Sequence, residues 1–202
     1  MYNPSVSLRA DSSPYTGEPI WKVIIMKIVI RGYSGSGKST LARKLGEHYG
    51  IPVLHLDRVH WTQNWTERDD AEKRQIVRDF LDGNDSWVID GNYSSLYQER
   101  RLEEADQILL LLFDRFTCLH RVLRRYRRYK GKTRPDMGEG CEERVDAAFL
   151  RWVLWEGRSR KIRQNYAQIA AQYSEKTVIL RNQRELDAWM RRLDKDENCM
   201  IS

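Results

Sequence analysis

Short apolar runs alternate with longer stretches of helical periodicity along most of the chain. Runs rich in Val, Ile and Leu occupy 27–30, 53–56, 87–89, 108–113 and 177–180. Each is continuous rather than alternating, as expected of strands buried on both faces of a sheet. Between them, apolar positions recur at helical spacing over 38–49, 67–82, 95–104, 116–130, 142–173 and 183–193. Gly50 and Gly83 close the first two of these stretches. The alternation predicts a three-layer α/β/α fold, with a five-stranded parallel sheet covered by helices on both faces. No repeat of solenoid length is visible, and 202 residues suit one α/β domain.

Residues 1–25 depart from this pattern. They are rich in Ser, Pro and Gly without a sustained period and read as a flexible leader, leaving 26–202 as the folded domain. The opening residues lack the basic, apolar and small-residue layout of a signal peptide. The longest apolar run, 108–113, is far too short to cross a bilayer, so no membrane partner is expected. Cys118, Cys141 and Cys199 are odd in number and form no CxxC pair, which reads as reduced thiols in the cytoplasm. Lys and Arg outnumber Asp and Glu, giving a net charge of +6. That excess suits an anionic partner such as nucleotide phosphate or nucleic acid.

The segment Gly32-Tyr33-Ser34-Gly35-Ser36-Gly37-Lys38-Ser39-Thr40 follows the first apolar run and opens the first helical stretch. Its GxxxxGK[ST] spacing is that of a phosphate-binding loop in its required context. Glycines there let backbone N–H groups crowd around phosphate oxygens, and the helix start adds the positive end of its dipole. Gly32, Ser34, Gly35, Ser36, Gly37, Lys38, Ser39 and Thr40 are therefore candidate ATP contacts. Lys38 suits the β- and γ-phosphates, and the Ser39 hydroxyl suits a Mg²⁺ position.

Ligands of open parallel sheets bind beyond the carboxyl ends of the strands. Asp57, Asp90 and Asp114 all follow apolar runs and so reach that edge. Asp90, backed by Gly91, suits a Mg²⁺-bound water. Asp57 suits orienting an acceptor, or taking the proton of an attacking hydroxyl. Each Asp has helix capping as its plain alternative, and for Asp114 capping is the preferred reading.

Residues 116–134 read FTCLHRVLRRYRRYKGKTR. Arg121, Arg125 and Arg128 share one helical face, while Leu119, Val122, Leu123 and Tyr126 occupy another. Arg134 and Arg144 follow around a short polar segment, 130–142. Guanidinium groups closing over a γ-phosphate supply the charge stabilisation that phosphoryl transfer needs. A solvated face and a nucleic-acid platform are the competing readings of the same array. Trp61, Trp65 and Tyr93 suit either core packing or stacking on a base or sugar. Arg100 and Arg101 suit either an acceptor phosphate or the surface, and Arg158, Arg160 and Arg163 read as solvated.

The loop, the WVIDGNY segment and the arginine pattern resemble the adenylate-kinase-related group of P-loop kinases. More closely, MKIVIRGYSGSGKSTLA, HLDRVHW, VIDGNY and RPDM resemble the DNA topology modulation proteins, over residues 26–193. The resemblance implies that Asp90 holds a Mg²⁺-bound water, that Arg121 stacks on adenine, and that Arg125, Arg134 and Arg144 contact phosphates across a lid at about 130–142. It also implies that the turn 181–183 wraps the adenine. Ser94 stands where adenylate kinases carry the Arg that grips AMP, which argues against AMP as acceptor. The resulting expectation is a Mg-ATP-dependent kinase, monomeric or homodimeric, acting on a nucleotide-sized acceptor. A non-nucleotide hydroxyl acceptor and an ATP-dependent regulator contacting DNA or RNA are the alternatives.

Overall fold

The computed structural model describes residues 25–134, 136–138 and 140–200. The expected leader lies outside the described residues up to position 24.

β1 (Lys27–Gly32) runs through the phosphate loop into α1 (Lys38–Tyr49). Gly50 ends α1 in the left-handed region at φ 63°, its N–H returned to the Gly46 carbonyl. β2 (Val53–His55) passes straight into the short α2 (Leu56–His60), so Leu56 opens a helix instead of ending the strand. A two-stranded antiparallel hairpin follows, β3 (Trp61–Thr62) and β4 (Thr66–Glu67). α3 (Asp70–Gly83) starts where the Asp69 carboxylate accepts from the N–H groups of Ala71 and Glu72. The chain continues through β5 (Trp87–Asp90), α4 (Gln98–Glu104), β6 (Gln107–Leu111) and α5 (Arg115–Tyr129). After a long connection come α6 (Ala147–Leu154), α7 (Arg160–Gln172), β7 (Thr177–Leu180) and α8 (Gln183–Met200). No described helix is long and apolar enough to cross a membrane.

The main sheet has five strands in the order β2-β5-β1-β6-β7, all parallel. This is the three-layer α/β/α architecture, with a five-stranded parallel sheet, that the apolar pattern predicts. β1 lies at the centre, with Ile30 opposite Asp90 on one side and Leu109 on the other. Ile28, Val29 and Ile30 and the run Ile108, Leu109, Leu110 and Leu111 are wholly excluded from solvent. Each such side chain contributes roughly 1.5–3 kcal/mol of burial free energy. Because every strand points the same way, the loops after β1, β2, β5 and β6 all open at one edge.

One expected helix is divided. Residues 142–173 form α6, a 3₁₀ turn at Glu156–Arg158, and α7. Caps set both starts: Asp146 accepts from the Phe149 N–H to open α6 only at residue 147, and Ser159 accepts from the Ile162 N–H to open α7 after the break. Periodicity in apolar positions carries across such a turn, which is why the pattern alone does not show it. The stretch expected at 95–104 is shortened to α4 in the same way, behind Tyr97 at φ 50°.

Arg101, expected either on the acceptor site or in solvent, is in neither place. It is completely buried and donates to the carbonyls of Leu96 at 2.7 Å and Tyr93 at 2.6 Å. Burial, reinforced by the neighbouring Arg31 charge, pulls its pKa down to about 9. Arg100 is tied to Asp82 at 2.7 Å and Glu104 at 2.5 Å. Replacing Arg101 by Ala leaves two carbonyls without their donor and a void behind them. The expected loss is about 3 kcal/mol in urea unfolding, unrescued by Lys, whose point charge does not fork between two acceptors. A loss below about 1 kcal/mol would mean that water replaces the guanidinium.

Candidate active site

The phosphate loop is held in shape by contacts with α5 and with the end of the sheet. Gly35 has φ 80°, and a Cβ there would lie 2.6 Å from the Cys118 carbonyl oxygen, so only glycine fits between the loop and α5. Gly37, also left-handed at φ 98°, opens α1. Asn92 clamps the loop's first residue, accepting from the Gly32 N–H at 3.2 Å and donating to its carbonyl at 2.8 Å. Ser36 is fully buried, and Trp152 Nε1 donates to Ser34 Oγ at 3.3 Å. Lys38 folds back and donates to the carbonyls of Gly32 and Tyr33, both at 3.1 Å. Burial lowers the Lys38 pKa, against the opposing charges of Asp57 and Asp90.

Beneath the loop, Ser39 Oγ donates to Asp90 Oδ2 at 2.8 Å. His55 Nδ1 bonds the other oxygen, Oδ1. Burial opposes charge on the imidazole, but the Asp90 hydrogen bond and charge outweigh it, and the His55 pKa is raised. Asp90 is 3% exposed and reaches the cleft through Ser39. A hydroxyl beside one carboxylate is a hard-oxygen donor set that fits Mg²⁺ shared with phosphate oxygens. Among the described residues no cluster of three or more His, Cys, Asp or Glu forms an all-protein metal cage. Asp114 is a helix cap, accepting from the N–H groups of Phe116 and Thr117 at 2.9 Å each.

A single cleft of about 1450 Å³ is lined by Ser34 through Thr40, by Asp57, and by Arg121, Arg125, Arg134 and Arg144. Arg121 lies 4.5 Å from the Phe113 ring centroid and donates to the Ser36 carbonyl at 2.6 Å and to Gln183. It is therefore pinned across the loop, toward the turn expected to face the adenine. Arg125 pairs with Glu143 at 2.8 Å, and Arg134 pairs with the same carboxylate at 2.5 Å and with Asp136 at 3.0 Å. Arg144 is exposed on the rim.

The far wall of the cleft is aromatic. His60 stacks on Tyr93 with centroids 4.6 Å apart and meets Trp61 edge-on at 4.5 Å, while Trp61 and Trp65 lie 5.7 Å apart. The Tyr93 hydroxyl donates to Asp57 Oδ1 at 2.9 Å. Burial, with the nearby Asp57 charge, raises the Tyr93 pKa, so the phenol keeps its proton.

Several participants were not legible in the sequence. Glu143 unites Arg125 and Arg134 across a fold-dependent gap, and no local spacing announces it. Arg158, expected in solvent, lies 3.9 Å over the Tyr33 ring and donates to the carbonyls of Phe113 and Val153. His55 belongs to no motif, yet the strand register places it directly opposite Asp90. That pairing is a long-range fact carrying no sequence signal.

No curated protein matches the chain. Solved structures similar to it include a shikimate kinase from Bacteroides thetaiotaomicron, 16% identical with a TM-score of 0.46, covering 86% of this chain and 98% of that one. A gluconokinase from Sinorhizobium meliloti 1021 is 17% identical with a TM-score of 0.42, covering 87% and 97%. An uncharacterized protein from Eubacterium ventriosum is 18% identical with a TM-score of 0.42, covering 84% and 98%. Residues 28–151 match the family model described as an AAA domain. That span contains the phosphate loop, Asp57, Asp90 and four arginines of the cleft, and it is more than half of the chain. The protein therefore belongs to the AAA domain family.

Proposed function

We propose that the chain is a Mg-ATP-dependent phosphotransferase acting on a nucleotide-sized small molecule. One observation carries this reading: the phosphate loop, the arginines and the Asp57 wall face a single cleft of about 1450 Å³. Hydrolysis alone requires no second wall opposite the loop, whereas transfer requires an acceptor held in line with the donor. The resemblance to adenylate-kinase-related proteins points the same way.

In this reading the loop amides and Lys38 hold the ATP phosphates, with Lys38 leaving the Gly32 and Tyr33 carbonyls to do so. Ser39 and Asp90 would hold Mg²⁺ at this end of the loop. Bound there, Mg²⁺ would neutralise charge on the β- and γ-phosphates. Arg121 orients the adenine end. The 130–142 segment, which carries Arg134 and leads into Arg144, serves as a lid closing toward Arg125 on α5 and the transferred group and excluding water. Glu143 occupies the guanidinium forks of Arg125 and Arg134 until phosphate oxygens take them.

Phosphorus NMR of the protein with Mg-ATP and pooled small acceptors tests the assignment. A new phosphorylated product from wild type, absent with Lys38→Ala, is the expected result. ATP binding without any transfer would refute it. For Lys38→Ala we expect a fall in transfer rate of about 10²–10³-fold with an unchanged far-UV spectrum. For Asp90→Asn we expect the half-saturating Mg²⁺ concentration to rise by about 10–100-fold, measured by titrating Mg²⁺ at fixed ATP. An unchanged Mg²⁺ dependence would remove Asp90 from the metal site.

A further inference from the structure

We infer that the acceptor is an uncharged alcohol carried on a flat, unsaturated ring, such as a nucleoside, and that Asp57 takes its proton. This inference rests on the phosphotransferase reading above and names the class of its acceptor. Four features of the far wall support it.

First, that wall offers flat faces. Asp57, His60, Trp61, Trp65, Tyr93 and Met137 line it, and all but Asp57 and Met137 are aromatic. Trp61 and Trp65 are only half-buried and lie outside the hydrophobic core, while Tyr93 packs partly against that core and still lines the cleft. The hairpin also adopts an unfavourable backbone to present one of them. Asn64 and Trp65 both have positive φ, 57° and 63°, and Trp65 Nε1 donates to the Glu142 carbonyl at 2.9 Å. Left-handed backbone at a bulky residue is costly and persists where the surroundings enforce it.

Second, the wall lacks a cation for a phosphate. Among the described residues from 56 to 101, no Lys or Arg lines the cleft. Most are engaged elsewhere: Lys73 with Glu67 and Asp70, Arg68 with Glu72, Arg100 with Asp82, and Arg101 in the core. A monophosphate acceptor brings a second anion beside ATP and needs charge to hold it. The cleft's cations come instead from α1 (Arg43 and Lys44) and from α5 and the segment after it (Arg124, Arg125, Arg128 and Arg134 among them), where Arg125 and Arg134 already share the Glu143 carboxylate.

Third, Asp57 has a free oxygen. Oδ1 accepts from Tyr93, and Oδ2 makes no hydrogen bond among the described residues. A fixed carboxylate with one open lone-pair edge suits a hydroxyl donor and repels a phosphate. Fourth, Asp57 lines the same cleft as Lys38 and the phosphate-loop residues Ser34 to Thr40, so the base and the donor phosphates share one space.

The step balances as follows. The acceptor O–H gives its proton to Asp57 Oδ2 while its oxygen forms a bond to the γ-phosphorus of ATP. The bond between that phosphorus and the β,γ-bridging oxygen breaks, and ADP leaves with the electron pair. Asp57 then returns its proton to water.

The test compares three acceptor sets under Mg-ATP by phosphorus NMR. They are adenosine, guanosine, cytidine and thymidine; their 5′-monophosphates; and glucose with glycerol. The expected result is a monophosphate made from at least one nucleoside, with no product from the other two sets. Asp57→Asn should cut turnover by about 10²–10⁴-fold while ATP-analogue affinity stays within about twofold, which also shows that the variant folds. Trp65→Ala should raise the nucleoside KM about tenfold with a smaller effect on kcat. Product from a monophosphate, glucose or glycerol would overturn the acceptor class and leave the phosphotransferase reading standing. Full turnover by Asp57→Asn would overturn the base. ATP binding with transfer to none of the three sets would overturn both this inference and the reading beneath it.

Discussion

The 2.8 Å hydrogen bond from Ser39 Oγ to Asp90 Oδ2 ties the first turn of α1 to the end of β5. Two covalently distant pieces meet there because the parallel register places Ile30 opposite Asp90 and His55 opposite Asp90 on the other side. The continuous apolar strands that build the core therefore also fix the polar floor of the site. A slip of one residue in β5 would exchange its two faces and remove the carboxylate from under the loop. Asn92, two residues further on, extends the same constraint by holding both backbone groups of Gly32. The loop is shaped by the sheet edge as much as by its own glycines.

Charge is the second organising constraint. The cleft gathers Lys38 and several arginines in one half-enclosed space, and such a concentration of like charge is unfavourable without anions. Glu143 answers that within the described residues, 4% exposed and shared by Arg125 and Arg134. A carboxylate bridging two guanidinium groups has the donor geometry that phosphate oxygens use. In the proposed cycle, exchange of this carboxylate for phosphate keeps the arginines paired throughout. That lowers the desolvation cost of closing the cleft.

The fold was readable because its signal is redundant. Five apolar runs and the intervening helical periods each imply a parallel sheet, and α1 and β7 fall at the residues the pattern assigns. The phosphate loop was readable because its constraints are local and contiguous. Asp57, Arg121, Arg125, Arg134 and Arg144 were nameable as candidates, and the structure brings all of them to line one cleft. Their partners were not nameable. Glu143, His55 and Arg158 act through contacts between segments far apart in sequence, which periodicity does not encode. The β3–β4 hairpin was missed for another reason: two residues per strand give no period, and its turn relies on non-glycine residues at positive φ.

That hairpin couples the two walls of the cleft. Gly138 packs so closely that a Cβ there would lie 2.3 Å from the Trp61 carbonyl oxygen. Cys141 Sγ donates to the Thr62 carbonyl at 2.9 Å, and Trp65 Nε1 to the Glu142 carbonyl at 2.9 Å. The α5–α6 connection that carries Arg134 is thus bonded to the hairpin that carries Trp61 on β3 and Trp65 in its turn. Within the proposed function, a ligand that repositions the aromatic wall would be linked through these contacts to the arginine segment, and the reverse would hold by the reciprocity of linked equilibria. Acceptor binding and arginine closure are then coupled.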